Sequence, residues 1–189
     1  MGIYYWLIVI LWFFFGAYWL ISATTAKKNI SMARSAKGAW IRILIFVFIV
    51  LIFQVPFFQQ LAGNYLNSFP NSLANIIGIV LCVLGITLAI WARRHLGRNW
   101  GMPMSLKEEP ELVTSGPYKY IRNPIYSGML LALLGTGLVL GLPWLVAFVA
   151  CSIYFIYSSK VEEKIMAEQF PQTYPEYKKR TKMLIPFVW

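Results

Sequence analysis

Two short stretches hold most of the residues in this chain whose types and spacing could do chemistry. "GPYKYIRNPIYSG", Gly116 to Gly128, sets Tyr118, Tyr120, Arg122, Asn123 and Tyr126 beside two prolines, and "SSKVEEKIMAEQF", Ser158 to Phe170, carries the adjacent acids Glu162 and Glu163. Ser115-Gly116-Pro117 is a turn signal. Asn123-Pro124 reads as a helix start, with Asn123 as N-cap and Pro124 at the first helical position. That end would aim free N–H groups and a positive dipole end at the loop, which favours a carboxylate or phosphate, and Arg122 adds a fixed positive charge. Two adjacent acids next to an apolar run repel each other and lose solvation, so the fold must supply partners. Lys160 and Lys164 are the local ones. If Glu162 instead faces the loop, a carboxylate accepting two hydrogen bonds suits the vicinal hydroxyls of a ribose. The plainer reading of the same residues is an interfacial belt of Tyr and Arg and a solvated ion-pair face.

Other chemistry is sparse. His95, the one histidine, lies in "WARRHLGRNW" and reads as a headgroup or helix-end contact. Cys82 and Cys151 each sit in an apolar run with no second cysteine nearby, which suits packing better than a disulfide. No His/Cys cluster is present, so no metal is expected.

The chain has 189 residues, 59% of them hydrophobic and 17% aromatic, with mean hydropathy +0.61. That is more apolar surface than a soluble domain of this length can hide, so a membrane is the expected solvent. Uncharged runs cover Gly2 to Ala26, Ile43 to Ala92 and Asn123 to Ser159; "GNYLNSFPNS" breaks the second and "GLP" at Gly141 to Pro143 breaks the third. The expected fold is therefore an all-α integral membrane protein, a single membrane domain over 1–189, with five segments: Ile3–Ser22, Trp40–Leu61, Leu73–Trp91, Ile125–Leu140 and Trp144–Ser158. The last two are short enough to form a tilted or partly sunken hairpin. The N-terminus lacks a basic region and a small-residue cleavage site, and reads as a retained first helix.

All 17 Lys and Arg fall within Lys27 to Arg42, Arg93 to Arg122 and Lys160 to Lys182, and all seven acids join the last two groups. Alternating segments put these groups on one side, which the positive-inside rule makes cytoplasmic, with the N-terminus outside and the C-terminus in the cytoplasm. The net charge of +10 then reflects topology and attraction to anionic lipid rather than a nucleic-acid footprint.

"LVTSGPYKYIRNPIYSGMLL", followed by the Glu162-Glu163 pair, Phe170, Tyr174, "EYKKR" and "IPF", resembles the isoprenylcysteine carboxyl methyltransferase family and its phospholipid N-methyltransferase relatives. The resemblance runs from about Ala92 to the C-terminus. It implies a methyltransferase-like core over 73–189, preceded by two helices in 1–72, with a cytoplasmic loop 92–124 and a cytoplasmic tail 159–189. It also implies S-adenosyl-L-methionine as cofactor and a lipid or prenylated substrate held in the bilayer. By family correspondence the cofactor would touch Glu111, Leu112 and Val113, then Gly116 and Tyr118, then Asn123, Pro124, Ile125 and Tyr126, and finally Glu162. Arg122, Tyr126 and Glu163 are candidates for positioning. Asn123 stands where the family often has histidine, and Ser158 where eukaryotic members have an arginine that engages the substrate carboxylate.

Methyl transfer from a sulfonium is an in-line displacement that asks the protein chiefly to align two reactants and exclude water. Soluble methyltransferases cradle this cofactor on a Gly-rich loop; here "LGTGLVLG" lies inside an expected span, so Gly135 and Gly137 read as small residues for helix packing. The acceptor implied first is an isoprenylcysteine carboxylate. A phospholipid amine, an NADPH-dependent reductase of the sterol type and a non-catalytic membrane adaptor remain open beside it.

Overall fold

A computed structural model of the chain describes residues 2–24, 72–100 and 111–185. The span expected at 40–61 and the first basic group lie outside the described residues. Helix α1 is Ile3–Ala23, α2 Ser72–Leu96, α3 Pro124–Leu140, α4 Leu142–Gln169 and α5 Tyr174–Arg180, with short 3-10 turns at Gly97–Asn99 and Gly116–Lys119. The described residues contain no strand, only one isolated parallel bridge between Ile121 and Lys182. Among the described residues three helices are long and apolar enough to cross a membrane: α1, α2 with its 3-10 extension, and α4; α3, with 17 residues, is shorter. Their outward faces are apolar, with Phe13, Phe14, Leu20, Leu73 and Ile153 all exposed, as lipid-facing positions should be.

The tightest packing joins α2 and α3, which run antiparallel with backbones nearly touching. A Cβ on Gly85 would meet the Ala132 nitrogen at 2.4 Å and the Gly128 oxygen at 2.5 Å, and one on Gly135 would meet the Gly78 oxygen at 2.4 Å. Small residues seven apart on both helices keep one face of each free of side chains, so van der Waals contact forms along the whole pair. Gly135 is therefore a packing glycine as expected. Gly137 is one too, lying against Leu145 at the turn into α4. Helix α1 lays Ile8 and Phe15 against Cys82, Ile86, Ala89 and Ala132. Its Trp12 indole N–H donates to Thr136 Oγ1 (2.9 Å), which in turn donates to the Ala132 carbonyl (2.8 Å).

The expected short hairpin of 125–140 and 144–158 is corrected in its second arm. Gly141, at φ +90, turns the chain into α4, and α4 then runs for 28 residues. It continues past Ser158 through Glu162 and Glu163, because a helix satisfies its own backbone and does not stop where charges begin. Residues 159–169 are thus helix rather than free tail. Helix α2 likewise continues past Trp91 to Leu96, carrying Arg93, Arg94 and His95 in its last turn, where cations complement the carbonyl end of the dipole.

Candidate functional site

Antiparallel α3 and α4 bring the start of one beside the later turns of the other. Tyr126, one turn into α3, stacks on Phe155 with ring centroids 4.5 Å apart and an interplanar angle of 9°. Its hydroxyl donates to Glu162 Oε1 at 2.6 Å. Phe155 and Glu162 are seven apart on α4 and so share a face. The neighbouring acid turns elsewhere. Arg122 donates to Glu163 Oε1 from Nε (2.8 Å) and approaches it with Nη2 (2.6 Å), while Lys178 Nζ reaches Oε2 at 2.6 Å. The acid pair does receive partners, but they come from 41 residues before Glu163 and from the tail. The expected local partners Lys160 and Lys164 are corrected, since both project from α4 as exposed residues.

The tail closes the site from above. After α5 the chain runs beside the segment preceding α3: the Arg122 amide donates to the Lys182 carbonyl (2.8 Å), the Lys182 amide to the Tyr120 carbonyl (3.1 Å) and the Asn123 amide to the Met183 carbonyl (3.2 Å). Ser127 Oγ donates to the Leu184 carbonyl, and Arg122 Nη1 to the Thr181 carbonyl. Tyr177 of α5 donates its hydroxyl to the Tyr118 carbonyl at 2.7 Å. Asn123 occupies the N-cap position, yet makes no side-chain cap; its amide donates to the Met183 carbonyl at 3.3 Å instead. The expected cap is corrected for that reason: a tail carbonyl lies within reach of the side chain and takes it. Pro124 does open the helix, as its fixed φ and missing N–H favour.

Tyr118 (6% exposed), Ile125 and Tyr126 (8%) sit in one buried cluster with Ala92, Phe155, Met183 and Leu184. Burial pushes the Tyr118 hydroxyl well above the usual tyrosine range, with Tyr177 and Glu162 adding to the shift and Arg93 opposing it. Burial pushes Tyr177 up to about 12 against the pull of Arg122 and Arg180. Both therefore stay neutral hydrogen-bonding groups at physiological pH.

A cleft of about 560 Å³ opens beside this cluster, walled by His95 to Asn99 on one side and Glu111 to Ser115 on the other. Asn99 Nδ2 donates to Glu111 Oε2 at 3.1 Å across it. Gly116, at φ +59, lets the turn pass against the His95 ring, where any Cβ would lie 2.3 Å from Cδ2. His95 makes the expected helix-end contact, Nδ1 to the Trp91 carbonyl at 3.1 Å, and also walls the cleft. Leu96 and Val113 belong both to the cleft wall and to the packing around Tyr118 and Tyr126.

The expected residues thus fall into two adjoining groups: Glu111, Leu112 and Val113 on the cleft wall with Gly116 at its edge, and Tyr118, Asn123, Pro124, Ile125, Tyr126 and Glu162 under the tail. Sequence reasoning missed four things. Phe155 gave no signal within an apolar run, Asn99 and the tail carbonyls gave none at all, and Arg93 looked like an ordinary basic flank. Arg93 is in fact 2% exposed, donating to the Gly97 carbonyl (2.7 Å) and to the Ser22 carbonyl, with Trp100 4.7 Å from its guanidinium carbon.

The family model for phospholipid methyltransferase matches residues 73–173, more than half of the chain. The chain belongs to that family. The match covers the cleft, the Tyr126–Glu162 pair and all of α3 and α4. Relatives include the protein-S-isoprenylcysteine O-methyltransferase of Saccharomyces cerevisiae, 30% identical over 64% of this chain and 52% of that protein. Another is the cobalt-zinc-cadmium resistance protein CzcN of Cupriavidus metallidurans, 28% identical over 82% of this chain and 65% of that protein. Among solved structures, the eukaryotic intramembrane Ras methyltransferase, an isoprenylcysteine carboxyl methyltransferase, matches with a TM-score of 0.63 and 26% identity over 76% of this chain and 52% of that one. The chain spans about half to two thirds of the length of these relatives. With three apolar helices of spanning length and this family membership, it is a membrane protein. Among the described residues no group of three or more His, Cys, Asp or Glu could hold a metal ion.

Proposed function

We propose that the chain is an S-adenosylmethionine-dependent methyltransferase acting on a membrane-embedded acceptor, the carboxyl group of an isoprenylated cysteine. The observation that carries this reading is Glu162: a partly buried carboxylate held by a tyrosine hydroxyl, where the buried cluster of α3 and α4 adjoins a polar cleft. The donor set fits the cofactor. The cleft volume lies within the range of about 300–1,000 Å³ usual for small-molecule sites. Glu162 can accept from both hydroxyls of a ribose, and the backbone of Glu111 to Val113, outside any helix or strand, offers N–H and C=O groups to a base. In α4, between Phe155 and Glu162 in the sequence, Ser158 and Ser159 keep buried hydroxyls with no hydrogen-bond partner among the described residues.

The cofactor supplies a methyl group on a sulfonium, and a carboxylate acceptor needs no base to take it. What remains for the protein is alignment and exclusion of water. Glu111, Leu112, Val113 and Gly116 would line one side of the cofactor, and Tyr118, Asn123, Pro124, Ile125, Tyr126 and Glu162 the other. Arg122 and Glu163 position that second group through their ion pair. The acceptor's tail would stay in lipid, entering between helices. The reading further assigns five spans, an outside N-terminus and a cytoplasmic site.

Radiolabelled S-adenosylmethionine offered with a farnesyl-cysteine analogue and total membrane lipid tests it. Base-labile label on the analogue is expected, since a methyl ester hydrolyses. Base-stable label in the lipid fraction would move the acceptor to a phospholipid amine, and no transfer to either would remove the reading.

A further inference from the structure

The two groups of site residues cannot serve one ligand as they stand. Glu111 to Ser115 face an open cleft, whereas Tyr118 and Tyr126 are almost wholly buried and Glu162 is already occupied by the Tyr126 hydroxyl. What covers them is residues 174–185. From this we infer that 174–185 form a clasp that must swing away from Tyr118, Tyr126 and Glu162 for a ligand to enter and leave, latched by Glu163 between Arg122 and Lys178. The inference rests on the methyltransferase reading for the identity of the ligand, but its geometry does not.

Three features mark this segment as the moving part. First, its attachment is peripheral: α5 packs chiefly through Tyr174 and Tyr177, and its other residues face solvent. Second, apart from the buried side chains of Met183 and Leu184, its ties to the body are polar. Three backbone bonds join 182 and 183 to 120, 122 and 123, side-chain bonds come from Ser127, Asn123, Tyr177 and Arg122, and one ion pair involves a lysine that is 51% exposed. The lysine end of that pair is open to solvent and is weakened by salt, although Glu163 itself is only 11% exposed. Third, the groups it hides satisfy one another: Tyr126 donates to Glu162 and stacks on Phe155. Opening the clasp exposes Tyr174, Tyr177, Met183 and Leu184 and frees Tyr126 and Glu162 to meet a ligand. By contrast α2 and α3 lock backbone against backbone. The segment held by side chains and single bonds, rather than by backbone against backbone, is the one that roofs the site, as expected of elements that gate ligand exchange.

The clasp is Arg-anchored at the hinge side. Arg122 touches Glu163 of α4 and the carbonyls of Lys178 and Thr181 in the tail, so it stays paired with α4 when the tail lifts. Lys178 is the arm that must let go.

Hydrogen exchange on the full chain in detergent tests this without ligand. The Arg122, Asn123 and Lys182 amides bond across the clasp. They should exchange ahead of the amides of α2 and α3, and Lys178→Ala or added salt should speed them about two- to fivefold. S-adenosylhomocysteine should slow them. A strap gives the second arm: Ile121→Cys with Lys182→Cys, backbone neighbours across the bridge and so within the Cα range that a disulfide spans. Oxidation should slow S-adenosylhomocysteine uptake by at least about tenfold, with recovery on reduction. Equal uptake by the oxidised and reduced forms overturns the clasp. So does exchange of the three amides only in step with α2 and α3. A chain that takes up no S-adenosylhomocysteine removes the methyltransferase reading alone, because the ligand-free exchange still decides for or against the clasp.

Discussion

Replacing Glu162 with glutamine removes one charge while keeping size and hydrogen-bonding shape, so it isolates what that charge does. The Tyr126 hydroxyl, now 2.6 Å from Oε1, can still donate to the amide oxygen. A hydrogen bond to a charged group is worth about 1.5–3 kcal/mol and a neutral one about 0.5–1.5, so fold stability should fall by about 1 kcal/mol. Relief of repulsion from Glu163 offsets part of that loss. Ligand affinity should suffer more. If both ribose hydroxyls bind this carboxylate, the loss is about 1.5–3 kcal/mol, a tenfold to hundredfold rise in Kd. Glu176 provides the comparison: it sits in the exposed first turn of α5, where Glu176→Gln costs only the dipole contribution, about 0.3–1 kcal/mol of local helix stability. Calorimetry with S-adenosylhomocysteine and a melting curve for each variant in one detergent give both quantities. An unchanged Kd for Glu162→Gln, or equal shifts for the two variants, would refute the ribose assignment and leave Glu162 as the structural partner of Tyr126.

Gly85→Ala should destabilise by about 1–3 kcal/mol through overpacking, because its Cβ would meet α3 backbone at 2.4 Å; Gly16→Ala, with nothing within 4 Å, should be neutral or stabilising, and thermal melts compare them. Asn123→Ala should cost about 1 kcal/mol by releasing the Met183 carbonyl, and hydrogen exchange should show the loss at the tail rather than in the first turn of α3. Tyr177 titrates in the fold at about 12 against an ordinary 10. The stability it contributes is therefore complete below pH 10 and lost as pH rises towards 12, and Tyr177→Phe should be less stable at neutral pH but lose less between pH 10 and 12. Reporters fused to the two ends should place the N-terminus outside and the C-terminus in the cytoplasm, and both ends on one side would mean an even number of spans.

Sequence reading located the helices well where periodicity was irrelevant and apolar length decided, as for Ile3 to Ala23 and Pro124 to Leu140. It failed at α4, because segmenting by charge finds where lipid ends and not where a helix ends. The same limit explains the site. Glu162 could be suspected of facing the loop that holds Tyr126, since two adjacent acids beside an apolar run need partners. That Arg122 would take Glu163, or that Asn123 would give up its cap, depends on where Lys182 to Leu184 run, and nothing in "TKML" announces a segment that pairs with Tyr120 to Asn123. Backbone carbonyls carry no sequence signature, and here they supply the partners for Arg122, Asn123, Ser127 and Tyr177.

That accounts for so many polar residues at the edge of an apolar run. Within "GPYKYIRNPIYSG" nearly every polar group meets a different part of the chain. The Tyr118 and Tyr120 carbonyls accept from the tail, Arg122 bridges α4 to the tail, Asn123 and Ser127 hold Met183 and Leu184, and Tyr126 reaches α4 alone. An interfacial belt needs only rings and charges at the right depth, and its residues can face lipid and water. Here only Tyr120 of the three tyrosines does so, 50% exposed. Tyr118, Tyr126 and Arg122 turn inward instead, which costs desolvation that anchoring does not require. Their expenditure is explained if the peptide is the joint on which a roof closes over Glu162.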